Sequence, residues 1–377
     1  MTRRIVYISG TRADFGLMRG TLTAIHAEPG LSLSVLVTGM HLSPTHGDTV
    51  REIEASGLPI VAQVPVATTP ANGATMARAI SSMIAAFTDV LEVRRPDLVL
   101  LLGDRGEMLA GAVAALHLNI AVAHIHGGER SGTVDEPIRH AVSKLSHLHL
   151  TATVEARDRL VRMGEHAANV HVTGAPGLDG LADADRQSRF EVAACHGFDP
   201  DRPIALMVYH PVLQEAATAG GQAGTILDAA LATGAQVLAL MPNADAGSDD
   251  VRAQLEARRD HEDVALVTHL RRDDFLDAMA RADVIVGNSS AGIIEAASFG
   301  TPVVNIGTRQ NLRERNANVI DVPIDARAIG AAITTALAAG RLTPANIYGD
   351  GQAARRIVAL LRDIPLNARL MAKANAN

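Results

Sequence analysis

At 377 residues the chain is long for one hydrophobic core and natural for two domains, since domains cluster near roughly 100 to 200 residues. Hydrophobic residues at 47% with charged residues at 20% exclude a disordered chain, and a net charge of −7 leaves no diffuse basic surface, which excludes a nucleic-acid partner. A single cysteine, Cys195, excludes an internal disulfide and fits a reducing compartment, and with no signal-peptide core and no apolar run near ~18 residues the expectation is a cytoplasmic chain without a membrane partner.

In chain order, short β-rich apolar runs alternate with helical patterns: Ile5–Ser9, Leu33–Thr38, Leu98–Leu102, Ile120–Ile125, Leu148–Thr151 and Val170–Thr173. Runs of about six residues ending in Gly, Asp or His read as buried parallel strands, hence a doubly wound α/β sheet. The segment Gly174-Ala175-Pro176-Gly177 interrupts the pattern, and a second series follows: Ile204–Tyr209, Gln236–Met241, Val264–Thr268, Val284–Gly287 and Val303–Ile306. The expected domains are therefore 1–176 and 177–352, with a helix over Arg186–Gly197 opening the second and a helical segment over Gln352–Arg369 closing the chain. In open α/β sheets ligands sit outside the carboxyl ends of strands, so the residues just after these runs are the candidate site.

The first strand runs into Gly10-Thr11-Arg12-Ala13-Asp14, a glycine turn into a helix with Arg12 at its mouth, which is a seat for an anion. It does not match G-x-G-x-x-G, which argues against a nicotinamide cofactor. Leu98–Leu102 ends in Asp104-Arg105, Ile120–Ile125 in His126-Gly127-Gly128-Glu129, and Asp135-Glu136 follows soon after. Three acids, Asp104, Glu129 and Glu136, thus gather near neighbouring strand ends and suit paired roles in proton abstraction and return. Histidines crowd the region (His124, His126, His140, His147, His149), and Glu136 and His140 stand four apart on a predicted helix, so a metal site must be weighed. No H-E-x-x-H pattern accompanies them, and catalysis without metal is the expectation.

In the second series His210 follows a strand directly, and Asn243 follows the next. His210 suits a proton donor or a phosphate ligand. Gly287-Asn288-Ser289-Ser290-Ala291-Gly292 offers hydroxyls and free N–H groups to a diphosphate, Glu295 lies within reach of a ribose, and Arg309 arrives at the same edge from the next strand.

Together these motifs, with Tyr209-His210-Pro211, Met241-Pro242-Asn243 and Gly307-Thr308-Arg309-Gln310, resemble in order from residue 5 to about residue 320 the hydrolysing UDP-N-acetylglucosamine 2-epimerases of sialic-acid and legionaminic-acid type biosynthesis. The resemblance implies two Rossmann-like domains around a cleft, as in B-type glycosyltransferases (GT-B), with residues 353–377 crossing back to the first domain. It implies a UDP-sugar substrate, no cofactor and a homodimer. It also implies UDP contacts at Arg12, Arg105, His210, Asn243, His269, Ser289, Ser290, Glu295 and Arg309, and catalytic roles for Asp104, Glu129, Glu136 and His210. His269 comes from the resemblance alone. The implied reaction removes the proton at C2, expels UDP from C1, and adds water with reprotonation from the opposite face. Asp104 and Glu129 are assigned to proton transfer and Glu136 to positioning or water activation. The alternative is a non-hydrolysing epimerase, which returns UDP to the intermediate. Pro137, Leu213-Gln214-Glu215 and Leu312-Arg313-Glu314 depart from the pattern where sugar-selective residues sit, leaving UDP-N-acetylglucosamine, its 4-acetamido-6-deoxy relative and an antibiotic-pathway variant open.

Overall fold

A computed structural model describes residues 2–44, 47–181 and 186–376. Among them the strands are β1 (Arg3–Ser9), β2 (Leu31–Thr38), β3 (Ile60–Val64), β4 (Leu98–Leu102), β5 (Ala121–Ile125), β6 (Leu148–Thr151), β7 (Val170–Val172), β8 (Ile204–Val208), β9 (Gln236–Leu240), β10 (Val264–Val267), β11 (Val284–Gly287), β12 (Val303–Ile306) and β13 (Val319–Val322). They form two parallel sheets, in the orders β3-β2-β1-β4-β5-β6-β7 and β10-β9-β8-β11-β12-β13. In each sheet the first strand lies centrally and the winding reverses beside it, which opens a crevice at the strand ends.

Alternation makes each central strand serve two cores. Leu98, Leu100 and Leu102 join the cluster under the helix Arg12–Ala27, while Val99 and Leu101 join the one under Gly73–Arg94 and Gly106–His117. A strand with both faces covered reads as a continuous apolar run, which is why β4 is legible as LVLLL. Two of the four sheet edges are not: β3 (IVAQV) and β13 (VIDV) are part-exposed, carry polar residues and do not read as apolar runs, whereas the edges β7 and β10 fall within the expected runs.

Two helix expectations are revised. The helix opening the second domain spans Arg189–His196, set by a Ser188–Glu191 capping box at one end and Gly197 at the other. The closing segment is not one helix: Ala353–Asp363 stops ahead of Pro365, whose ring disfavours a helical predecessor, and a short turn Ala368–Met371 follows. Ala353, Ile357, Val358 and Leu361 complete the same core as Phe15, Met18, Leu22 and Ile25 of Arg12–Ala27. Arg3 on β1 secures the helix end, donating to the carbonyls of Leu361 and, at 2.7 Å, Ile364. The two chain crossings between domains run side by side, tied by Ala175 N–H donating to the Tyr348 carbonyl at 2.8 Å. One described helix, Gly73–Arg94, at 22 residues is long and apolar enough to cross a membrane, contrary to the expectation of no apolar run near that length; Met83, Phe87 and Leu91 on one face pack against the first sheet.

Candidate active site

The first wall of the crevice is fixed by strand register. Leu102 pairs with Ile125, so Gly103-Asp104-Arg105 and His126 to Glu129 leave the sheet side by side. His124, the last but one residue of β5, locks the two ends together: its Nε2–H donates to the Gly103 carbonyl at 2.7 Å and its Nδ1 accepts from Ser143 Oγ at 3.0 Å. Burial holds its pKa down to about 3, so the ring stays neutral and keeps this tautomer. His126 then takes a left-handed backbone (φ 64), unusual without glycine, and turns its Nδ1 onto the Glu129 carboxylate.

Arg139, 1% exposed on the helix Asp135–Leu145, braces both acids. It donates to the Glu129 carbonyl at 3.0 Å, to Ser131 Oγ at 3.4 Å and to the Asp104 carboxylate. Glu129 is itself 3% exposed, with His126 on one carboxylate oxygen and Arg313 on the other. Burial pushes its pKa up, but Arg313, His126 and His124 together outweigh that and hold it below the usual carboxylate range. Glu129 is therefore an ionised carboxylate in a dry place, the state a general base requires.

The adjacent acids part company. Asp135 lines the crevice and meets Arg309 at 3.5 Å, whereas Glu136 accepts from Ser131 N–H at 2.7 Å and stands 3.7 Å from His140, outside the lining. Of these two acids it is Asp135 that joins Asp104 and Glu129 in the crevice. The Glu136–His140 pair has no further ligand: among the described residues no three His, Cys, Asp or Glu side chains gather as a metal site would need.

The opposite wall comes from the second sheet. Val208 pairs with Gly287, whose φ of 134 and the Val208 carbonyl 2.2 Å from any added Cβ leave room for glycine alone. The level ends let Asn288 clasp His210 through both backbone groups, each at 2.8 Å. His210 is half-buried, with its Nδ1 buried and unpartnered; desolvation first, then Arg309, Arg12 and Arg105, hold its pKa down to about 3. Ser289 caps the turn Ser290–Ile294, accepting from Ala291 N–H at 3.3 Å. Asn243 accepts from Asp245 N–H at 3.1 Å and Ser248 Oγ at 3.3 Å, which fixes its amide at the β9 end.

Contacts between the domains close the rim: Arg12 donates to the Thr268 carbonyl, Arg105 meets Asp245 at 3.3 Å, and His269 pairs with Glu52. Glu295 pairs with Arg272, a residue sequence reasoning missed because the two are 23 positions apart and meet through the fold alone. Arg139 and Glu52 were missed for the same reason. The structure thus places Arg12, Asp104, Arg105, Glu129, His210, Asn243, His269, Ser289, Ser290, Glu295 and Arg309 around one cleft of about 260 Å3, and leaves Glu136 aside. Six arginines line it, Arg12, Arg105, Arg139, Arg272, Arg309 and Arg313. Such a set suits a diphosphate on one wall and proton transfer on the other.

A family model described as UDP-N-acetylglucosamine 2-epimerase matches residues 23–362. A hydrolysing UDP-N,N'-diacetylbacillosamine 2-epimerase of Legionella pneumophila is 49% identical over 376 residues, covering 100% of both chains. A UDP-N-acetylglucosamine 2-epimerase of Neisseria meningitidis serogroup B is 34% identical over 349 residues, covering 93% of this chain and 91% of that one. In fold, the chain is similar to the crystal structure of UDP-GlcNAc 2-epimerase from Neisseria meningitidis bound to UDP-GlcNAc, with a TM-score of 0.79 at 20% identity, over 95% of this chain and 99% of that one. An acid-bearing wall facing a serine-capped wall, with arginines on both, is how the chain equips this fold, and the chain belongs to the UDP-N-acetylglucosamine 2-epimerase family.

Proposed function

We propose that the chain is a hydrolysing 2-epimerase that converts a UDP-2-acetamido sugar to UDP and the free manno-configured sugar, with UDP-N,N'-diacetylbacillosamine as the preferred substrate. The observation that carries the reaction type is the pair of braced carboxylates, Asp104 and Glu129, facing His210, Arg309 and the serine turn across the cleft. The substrate preference rests on full-length likeness, 49% identity, to a protein named for that sugar.

One carboxylate of the first wall takes the proton from C2. The C1–O bond to UDP breaks, its electron pair leaving on the β-phosphate oxygen, and a C1=C2 double bond forms. Arg12, Arg105, Arg309, His210 and the N–H groups around Ser289-Ser290 stabilise the departing charge. Glu295 and Arg272 orient the nucleoside end. Water then adds its oxygen at C1 and gives up a proton to a carboxylate, while C2 is reprotonated on the opposite face. Asp104 and Glu129 carry the two C2 proton transfers, and Asp135 takes the third acidic position that sequence reasoning gave to Glu136.

The test is incubation with UDP-N,N'-diacetylbacillosamine and, separately, UDP-N-acetylglucosamine in deuterated water with EDTA, followed by proton NMR. The expected products are UDP and a free manno-configured sugar bearing deuterium at C2, formed faster from the first substrate. Accumulation of a UDP-linked manno sugar would instead establish the non-hydrolysing reaction. Asp104→Asn or Glu129→Gln should slow deuterium incorporation by roughly 10²- to 10⁴-fold, and intact incorporation in either would remove it from proton transfer.

A further inference from the structure

Glu129 belongs to the first domain, but one of its two carboxylate partners does not. Arg313 arrives from the segment between β12 and β13 of the second domain, is 8% exposed, and places NH1 on Glu129 Oε2 while its Nε is buried without a hydrogen-bond partner. That segment is held against the first domain by separate contacts. The Gly132 N–H donates to the Arg309 carbonyl at 3.2 Å, Thr153 Oγ1 donates to the Glu314 carboxylate, and Arg309 meets Asp135. The fit is close: a Cβ on Gly132 would stand 1.9 Å from the Thr308 carbonyl oxygen. Tyr348, at the chain crossing, donates to the Glu314 carbonyl at 2.8 Å, so the Arg313 contact lies beside the crossing and not at the open rim.

We propose that Arg313 is a positioning residue of the second domain that holds the Glu129 carboxylate, from across the domain boundary, in the orientation and charge state needed for proton transfer at C2; the catalytic part of this rests on the function proposed above. The groups facing Glu129 are His126 on its own loop, His124 on β5, Arg139 on its carbonyl, and Arg313, Glu314 and Tyr348 from the far side. Arg313 and His126 are the two that bond the carboxylate directly, and Arg313 alone brings a fixed positive charge to it.

The test uses the full chain labelled with 13C at the glutamate carboxyl, in which the Glu129 signal is identified by its loss in Glu129→Gln. In the wild type this signal is expected to titrate below the usual carboxylate range, in Arg313→Gln to move up by about one pH unit or more, and in Arg313→Lys to return most of the way. Equal midpoints in wild type and Arg313→Gln would overturn the proposal. In kinetics with UDP-N,N'-diacetylbacillosamine, Arg313→Gln should lower kcat on the order of a hundredfold with KM within a fewfold, and shift the acidic limb of kcat/KM upward. A fall in kcat with that limb unmoved would reduce Arg313 to a structural contact. If the wild type releases no UDP from any UDP-2-acetamido sugar, the functional reading fails while the carboxyl titration still decides the role of Arg313.

Discussion

His210 is a neutral imidazole because its ring is desolvated and because the cleft around it is positive. Its pKa, down to about 3, reflects burial first and then Arg309, Arg12 and Arg105, with Asp245 pulling the other way. A diphosphate arriving among those arginines reverses the sign of the local field and favours the imidazolium. UDP binding at about pH 6 should therefore take up a proton. Calorimetry in two buffers of different ionisation enthalpy checks this: the apparent binding enthalpies should differ for the wild type and converge for His210→Gln, and equal enthalpies for the wild type would refute it. A second residue-scale expectation separates Asp135 from Glu136. Neighbours on a helix point about 100° apart, so only one of two adjacent acids faces a given cleft. Asp135→Asn should lower kcat/KM on the order of a hundredfold. Glu136→Gln, whose contact is with Ser131 N–H, should cost about 1 kcal/mol of stability and leave kcat within a fewfold, as steady-state UDP release and thermal melting would show. The sequence displays both acids and does not reveal which faces inward, because the phase of that helix is set by the burial of Arg139, a tertiary event. Arg272 was hidden, and Arg313 was legible only as a departure where sugar-selective residues sit, for a related reason: each acts through a partner that is distant in sequence, Glu295 and Glu129.

At the scale of elements, legibility follows coverage. The central strands are buried on both faces and announce themselves as apolar runs, and since ligands gather at their carboxyl ends, most of the candidate cleft is written just after them. The edge strands β3 and β13 and the helix ends depend on neighbours, and these the sequence did not display. The tail of the chain is one such case. Glu165, at 3% exposure, collects His149 Nε2 at 2.9 Å and Lys144 at 2.7 Å, and Lys373 from the segment after Ala368–Met371. Burial raises its pKa, but hydrogen bonds from His149, Lys144 and Lys373 prevail and bring it from 4.5 to about 2. The sign follows directly: an acid whose folded pKa is depressed stabilises the fold above the unfolded value and loses that contribution as pH falls toward the folded one. Glu165→Gln should thus be destabilised by about 3 kcal/mol near neutral pH, with the gap in melting temperature narrowing as pH drops from about 4.5 toward 2. A gap that stays constant over that window would show that charge at Glu165 does not hold the tail.

At the scale of the molecule, the two sheets are alike in winding and unlike in chemistry. The first supplies acids, braced by Arg139 and a neutral His124; the second supplies His210, the serine turn and Arg309. Neither wall is a site alone, because a reaction that moves a proton and expels a diphosphate needs both, and Arg313 extends the second wall into the first. The helix Ala353–Asp363 has a consequence of a different kind. It lies in the core of the first domain beside Phe15, Met18, Leu22 and Ile25, although nearly the whole chain separates them. During synthesis, then, the half that emerges first cannot be finished first. The part of the Arg12–Ala27 apolar surface that faces the closing helix waits uncovered while the second domain, continuous in sequence, is made and can close on itself. The earlier domain is completed by a helix made only after the later one, so a ribosome stalled after the second domain would leave the acid-bearing wall attached to an incomplete core.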